Sequence, residues 1–497
     1  MKAKTLMVLG SSSSAGKSFL VTALCRIYAR RGWRVMPFKA QNMSNNAAVC
    51  RGGEIGRAQS MQAFAAGVEP SVDMNPVLLK PEADALSQVI LQGQVWGRLS
   101  AGEYYSRKQE LWQRITQSLD RLRNEADLVI IEGAGSAAEL NLKTSDVVNF
   151  AVARYAQVPC LLVGDIDRGG IFAQLLGTLW LLEEDERSLM RGFIVNKFRG
   201  DRRLFQMGIE ILEQRSGIPV LGIIPFLHEH GVAAEDSADI PIGKVSPATA
   251  KLDIVIVALP RISNFDEFDA LRWTPGVQLR YVSNQQELGN PDGIILPGSK
   301  STIEDLLWLH KTGLDDKLRQ CAAQGVSVVG LCGGYQMMGE IIIDEEGVEA
   351  MRGEITGLGL LEGRTIFRSQ KTVTRTKARV ICEHGFWIPL RDTIVEGYEI
   401  HLGESEDTHP LFEVIMRNDI VSHALDGSCS EDGRIFGSYL HGLFENDLLR
   451  QAWLMSLGLE HPLFSYHAAR EQAVERLADA VSGALDMKTL DAIVGVF

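Results

Sequence analysis

Six short runs in the first half of the chain are apolar almost without interruption: TLMVLG (5–10), RVMPFKA (34–40), DLVIIEGAG (127–135), VPCLLVGDID (158–167), GFIVNKF (192–198) and PVLGIIP (219–225). A strand that faces solvent on one side alternates apolar and polar residues; one that is near-continuously apolar is covered on both faces. Such runs, separated by helical segments, predict an α/β domain with a parallel sheet between helix layers. SFLVTALCRIYARRG illustrates the intervening helices: Leu20, Leu24 and Ile27 fall on one stripe, and Gly32 ends it. The rhythm lapses over 233–250 and then resumes with LDIVIVALP, GIILPGS and VSVVGLCGG, followed by a β-rich stretch to GSYLHGLF and a helical end. The reading is a two-domain α/β chain: an N-terminal domain over 1–232, a linker over 233–250, a second α/β domain over 251–447 and a helical segment over 448–497.

The bulk properties narrow the function. The 497 residues are too many for one core. A net charge of -13 argues against a general nucleic-acid binder, whose footprint would be basic. The seven cysteines form no C-x-x-C pair, so zinc and disulfide frameworks are not expected. No apolar run is long enough to span a bilayer and no signal-peptide pattern opens the chain, so a cytoplasmic protein without membrane insertion is expected.

VLGSSSSAGKSFLVTAL places a glycine-serine loop between a strand and a helix. Backbone N–H groups in such a loop cradle phosphate oxygens, aided by the positive end of the helix. Gly16, Lys17 and Ser18 are the expected ATP-binding residues, with Lys17 along the β/γ-phosphates and the Ser18 hydroxyl on Mg²⁺. Ser11 stands where the first glycine of the usual pattern falls, and Gly10 sits one residue early. That spacing resembles the dethiobiotin synthetase branch of P-loop proteins. Glu132, at the end of a buried run, is the expected acidic metal partner, and Glu54 in GGEIGRAQ is a second candidate. Asn196 in NKFRGD ends a strand, where it either reads the adenine edge or caps the backbone.

VVGLCGGYQMM raises a different question, because Cys332 is either a small core residue or a thiol held out for chemistry. Strand, sharp turn and helix form a nucleophile elbow, and the positive end of the helix favours a thiolate. Gly333 N–H is placed to meet an oxyanion, and PGSKST offers Gly298 N–H as a second donor. His441 in GSYLHGLF is the expected base; alone it would read as a structural histidine, but elbow, oxyanion loop and histidine occur together.

PGSKST, GLCGGYQMMG, EGYEIHLG and GSYLHGLF resemble a class I glutamine amidotransferase domain of the corrinoid-amidating branch. SSAGKSFLVTALCRIYARRGWRVMPFKAQNMSNNAAV, GGEIGRAQ, EPSVDMNPVLLKP, EGAGSAAELNL, GDIDRGGIFAQ and NKFRGD resemble the cobyric acid synthase family. The resemblance covers almost the whole chain. It implies an ATP- and Mg²⁺-dependent amide ligase that takes ammonia from L-glutamine. The implied acceptor is a corrinoid, adenosylcobyrinic acid a,c-diamide, converted at four carboxylates to adenosylcobyric acid. Most class I amidotransferases carry a glutamate two residues after the histidine; here that position is Leu443, leaving Glu445, Glu399 or His401 to orient His441. The polar segments 38–47 and 141–149 offer Lys39, Gln41, Asn42 and Asp146 as acceptor-binding candidates, although solvated loops would look the same. The sister enzyme amidating the a and c carboxylates, and a P-loop ATPase with an amidotransferase-like binding module, are the rival readings.

Overall fold

The computed structural model describes residues 2–83, 86–227, 250–349, 353–406, 408–460 and 463–496. Most of the expected linker, 233–250, lies outside the described residues. The chain divides into two compact units: one of residues 1–44, 50–233 and 469–497, the other of residues 45–49 and 234–468.

The first unit is built on a six-stranded parallel sheet. Its order is Val220–Pro225, Met190–Phe198, Cys160–Asp165, Lys4–Gly10, Leu128–Glu132 and Val35–Phe38. All six apolar runs enter this sheet, because burial on both faces leaves no polar side to alternate. Two clusters of buried side chains cover its faces. Phosphate-loop chemistry belongs at the C-terminal ends of such strands, where the order reverses about the central one. A mixed sheet is added in the same unit: Gln41–Met43 runs parallel to Val77–Ala83, which continues antiparallel into Leu86–Leu91 and Gln94–Ser100.

The expected helix spans Lys17–Arg30 and buries Leu20, Leu24 and Ile27. Its other neighbours come from the far end of the chain. Val474, Leu477, Val481, Leu490 and Val494 join the same apolar cluster. Arg30 pairs with Asp479 at 2.7 Å and Arg31 with Asp491 at 2.9 Å. The helical end is therefore divided: Asp447–Ser456 belongs to the second unit, and residues 469–497 complete the first.

In the second unit the sheet order is Val277–Val282, Leu252–Val257, Gly293–Leu296, Ser327–Leu331, Ile435–Ser438 and Ser428–Cys429. The first five strands run parallel, so their C-terminal ends line up. The loops after four adjacent strands thus open on one edge. A second, mainly antiparallel sheet contains the long hairpin of Arg364–Val380 with Ile394–Ser405.

Candidate active sites

Cys332 follows the Ser327–Leu331 strand and caps the Gly333–Met338 helix with φ 51° and ψ -110°. This is a left-handed, strained conformation for a residue with a Cβ, of the kind stored at functional positions. Glycines make the turn feasible: a Cβ on Gly334 would stand 2.0 Å from Leu296 O, and one on Gly333 2.9 Å from Ser299 N. The side chain is buried, with its Sγ 3.4 Å from Ile400 O. It also lies near enough to His441 for its charge to act on the imidazole.

Strand order explains this meeting. The strand ending at Ser438 lies beside the one ending at Leu331, and His441 follows three residues later. Its backbone bridges to Tyr398 (His441 N–H to Tyr398 O 2.8 Å), and the Tyr398 ring stacks on the imidazole at 5.1 Å. The EGYEIHLG segment therefore clamps the histidine and passes Ile400 O to the thiol. Gly298 closes the opposite side: a Cβ there would lie 3.0 Å from His441 Cε1. Gly298, Gly333, Cys332 and His441 are brought together at one edge.

The residue orienting His441 is a different acid from those expected. Glu267 Oε1 accepts from His441 Nδ1 at 3.0 Å, and its other oxygen accepts Gly442 N–H at 3.0 Å; carboxylate and imidazole are both buried. Glu399 is bonded by Arg417, Thr374 and Thr376 at 2.8 Å each; burial raises its carboxyl, but the hydrogen bonds and charges of His401 and Arg417 prevail and hold it far below the usual range. His401 Nδ1–H donates to Gly403 O at 3.0 Å, and the ring stacks on Tyr439 at 3.8 Å. Glu445 follows His441 in the Leu443–Glu445 turn. For His441 itself, burial pulls the imidazole pKa down, but the charges of Glu267 and Cys332 and its hydrogen bonds to both prevail, raising it to about 10. Glu267 comes from SNFDEF, a short 3₁₀ turn with no periodicity; its one legible signal is an acid in a loop after a buried strand.

In the first unit, Gly16 has φ 99° and ends the loop at the start of the Lys17–Arg30 helix. A Cβ there would fall 2.0 Å from Asn196 Nδ2, which itself donates to Ala15 O at 2.9 Å. Asn196 thus braces the loop from beneath. Lys17 Nζ bonds Ser12 O at 3.1 Å and Gly135 O at 2.8 Å, lying across the loop where phosphates are cradled. Ser18 Oγ donates to Glu132 Oε1 at 2.8 Å. Glu132, fully buried, also meets Lys39 Nζ at 2.8 Å and Gln62 Nε2 at 2.5 Å. Glu54 is ion-paired with Lys80, both buried. Sequence reasoning missed Asp165 and Lys197: Lys197 has φ 60° and joins Asp165 (2.8 Å) to Ser14 O (2.7 Å) beside the loop.

The acceptor candidates disperse. Lys39 turns to Glu132, and Asn42 is buried against Gln59 at 3.3 Å. Asp146 accepts from the backbone N–H of Val148, Asn149 and Ala151 at 2.8–3.0 Å, so its carboxylate caps the Phe150–Ala156 helix. Asp146 and Gln41 nevertheless line one cavity of about 260 Å³ with Gly135, Ser136, Leu140 and Lys143. Among the described residues no group of three or more His, Cys, Asp or Glu side chains is arranged to hold a metal, and no helix is long and apolar enough to cross a membrane.

A nucleotide loop in one unit and a thiol–imidazole–carboxylate centre in the other define an ATP-dependent, glutamine-using amide ligase. Residues 253–449 match the model of the CobB/CobQ-like glutamine amidotransferase domain, and residues 6–239 that of the CobQ/CobB/MinD/ParA nucleotide binding domain. The chain is 50% identical to cobyric acid synthase of Chloroflexus aurantiacus, over 99% of this chain and 100% of the relative. It is 49% identical to that of Chloroflexus aggregans (99% of each) and 46% to that of Synechococcus elongatus (98% of this chain, 99% of the relative). The chain belongs to the cobyric acid synthase family, whose enzymes amidate a corrinoid with glutamine nitrogen in cobalamin biosynthesis.

Proposed function

We propose that the chain converts adenosylcobyrinic acid a,c-diamide to adenosylcobyric acid, amidating the b, d, e and g carboxylates in turn. The observation that carries the nitrogen half is His441, held by Glu267 at 3.0 Å and near enough to Cys332, on its strained turn, for the two charges to interact. Glutamine enters with its side-chain amide over Cys332. His441 Nε2 already holds the thiol's proton, so Cys332 attacks the amide carbon as the thiolate, and the developing oxyanion is met by the N–H groups of Gly298 and Gly333. The imidazolium returns that proton to the departing nitrogen, releasing ammonia and leaving a thioester. Water, deprotonated by His441, then cleaves the thioester to glutamate and restores the thiol.

The other half makes the carboxylate reactive. An acceptor carboxylate oxygen attacks the terminal phosphorus of ATP, ADP departs and an acyl phosphate forms. Ammonia displaces phosphate from it, giving the amide. Lys17 and the loop N–H groups hold the phosphates during transfer. The Ser18 hydroxyl and Glu132 carboxylate, 2.8 Å apart, suit Mg²⁺, which needs few protein ligands beside phosphate and water. They would hold that ion, which when bound neutralises phosphate charge. The cavity beside Gly135 has room for one acidic arm of the corrinoid rather than its ring.

In Cys332→Ala, glutamate release from glutamine should vanish while amidation with ammonium salts persists. Mass spectrometry of corrinoid products should then count four carboxylate-to-amide conversions. Glutamate release that survives this change would refute the thiol's role, and products stopping at a different count would refute the acceptor assignment.

A further inference from the structure

The imidazole of His441 has two ring nitrogens, and one short turn addresses both. Phe265–Phe268 is a 3₁₀ helix preceded by Asn264. Residues three apart in such a turn project the same way, and here they are Asn264 and Glu267. Glu267 takes Nδ1, while Asn264 Nδ2 stands 3.5 Å from Nε2. The direction of the Asn264 amide is fixed independently. Ala47 N–H meets its Oδ1 at 3.0 Å, and an N–H can only donate, so the oxygen faces Ala47 and the NH₂ group faces the ring. Asn264 is held in the left-handed region, φ 54°, where asparagine is among the few tolerated side chains.

The chemistry of Nε2 makes this contact consequential. That nitrogen has one lone pair, and glutamine hydrolysis needs it for the Cys332 proton. An N–H directed at it competes for the lone pair before transfer and opposes the new N–H afterwards, because donor then faces donor. Glu267 and the sulfur draw a proton onto the ring; Asn264 works against them. Ala47 belongs to the 45–49 segment, which is part of the second unit although Ser44 and Cys50 on either side of it belong to the first. The segment continues the chain that carries Lys39, Gln41 and Asn42.

We propose that Asn264 is a positioning residue that restrains glutamine hydrolysis, and that the 45–49 segment sets its hold through Ala47 N–H. When this segment shifts, the amide is no longer aimed, Nε2 is released and ammonia is made. This rests on the reading of Cys332 and His441 as the glutamine-hydrolysing pair. It extends that reading by giving the pair a brake.

The test measures glutamate and amide together in the full-length enzyme, with ATP, glutamine and the a,c-diamide, and again with the corrinoid omitted. Asn264→Asp keeps the bond from Ala47 but turns an acceptor towards Nε2; Asn264→Gly fits the backbone and removes the amide. Both should raise corrinoid-free glutamate release by about tenfold and lift the glutamate-to-amide ratio above one. The ratio does not depend on how much protein folds, and a merely structural role would lower both products together. If both variants keep the ratio at one, or release less glutamate without corrinoid, the proposal is overturned. Cys332→Ala separates the two failures: silence there with an unchanged ratio in the Asn264 variants removes only the brake, whereas persistent release removes the underlying reading.

Discussion

Glu267 shows how much a single carboxylate controls. It fixes the Nδ1–H tautomer of His441, so that Nε2 faces the thiol. Glu267→Gln keeps the shape but removes the charge. We expect kcat for glutamine hydrolysis to fall by about 10²-fold or more, with KM for glutamine little altered, as steady-state kinetics will show. The same change carries a stability signature. With a folded pKa of about 10 against about 6.5 for free imidazole, His441 binds a proton more tightly in the native state. Its contribution to stability is complete below the unfolded value and is lost as pH rises through the folded one. Denaturant unfolding of the wild type should therefore weaken between those two pH values, and Glu267→Gln should flatten that slope; equal slopes would remove Glu267 as the cause.

Elements divide by how plainly the sequence announces them. The sheet strands of the first unit were legible because a short, continuously apolar run must be covered on both faces, and the Lys17–Arg30 helix because its stripe and terminal glycine agree. Cys332 and His441 were legible as motifs. The turn bearing Asn264 and Glu267 was not, since four 3₁₀ residues have no period to detect. Nor was the sheet that includes Val77–Ala83 through Gln94–Ser100, whose strands mix polar and apolar residues and are interrupted by Pro81. At the elbow, the helix start is packed against the neighbouring strand so closely that Gly334→Ala must push the backbone of Leu296 and Pro297 aside. The expected cost is about 1–3 kcal/mol, read by chemical denaturation, together with loss of glutamine hydrolysis; a variant of wild-type stability and activity would show that the turn tolerates a Cβ.

At the scale of the whole molecule, two units with separate cores and separate ligands should report separately on binding. A ligand that prefers the native state raises the unfolding temperature of the unit that holds it. A non-hydrolysable ATP analogue with Mg²⁺ should raise one calorimetric transition, and a glutamine analogue that alkylates Cys332 the other. A single transition moved equally by both would mean that the units unfold as one. One detail of chain path also bears on how the enzyme is made. The helix behind the phosphate loop shares its apolar cluster with Val474 to Val494, residues synthesised only after the whole second unit. A nascent chain broken off anywhere in the ammonia-producing half lacks this support, so ribosomal stalling or early termination yields an unfinished ATPase instead of one that hydrolyses nucleotide with no nitrogen to deliver.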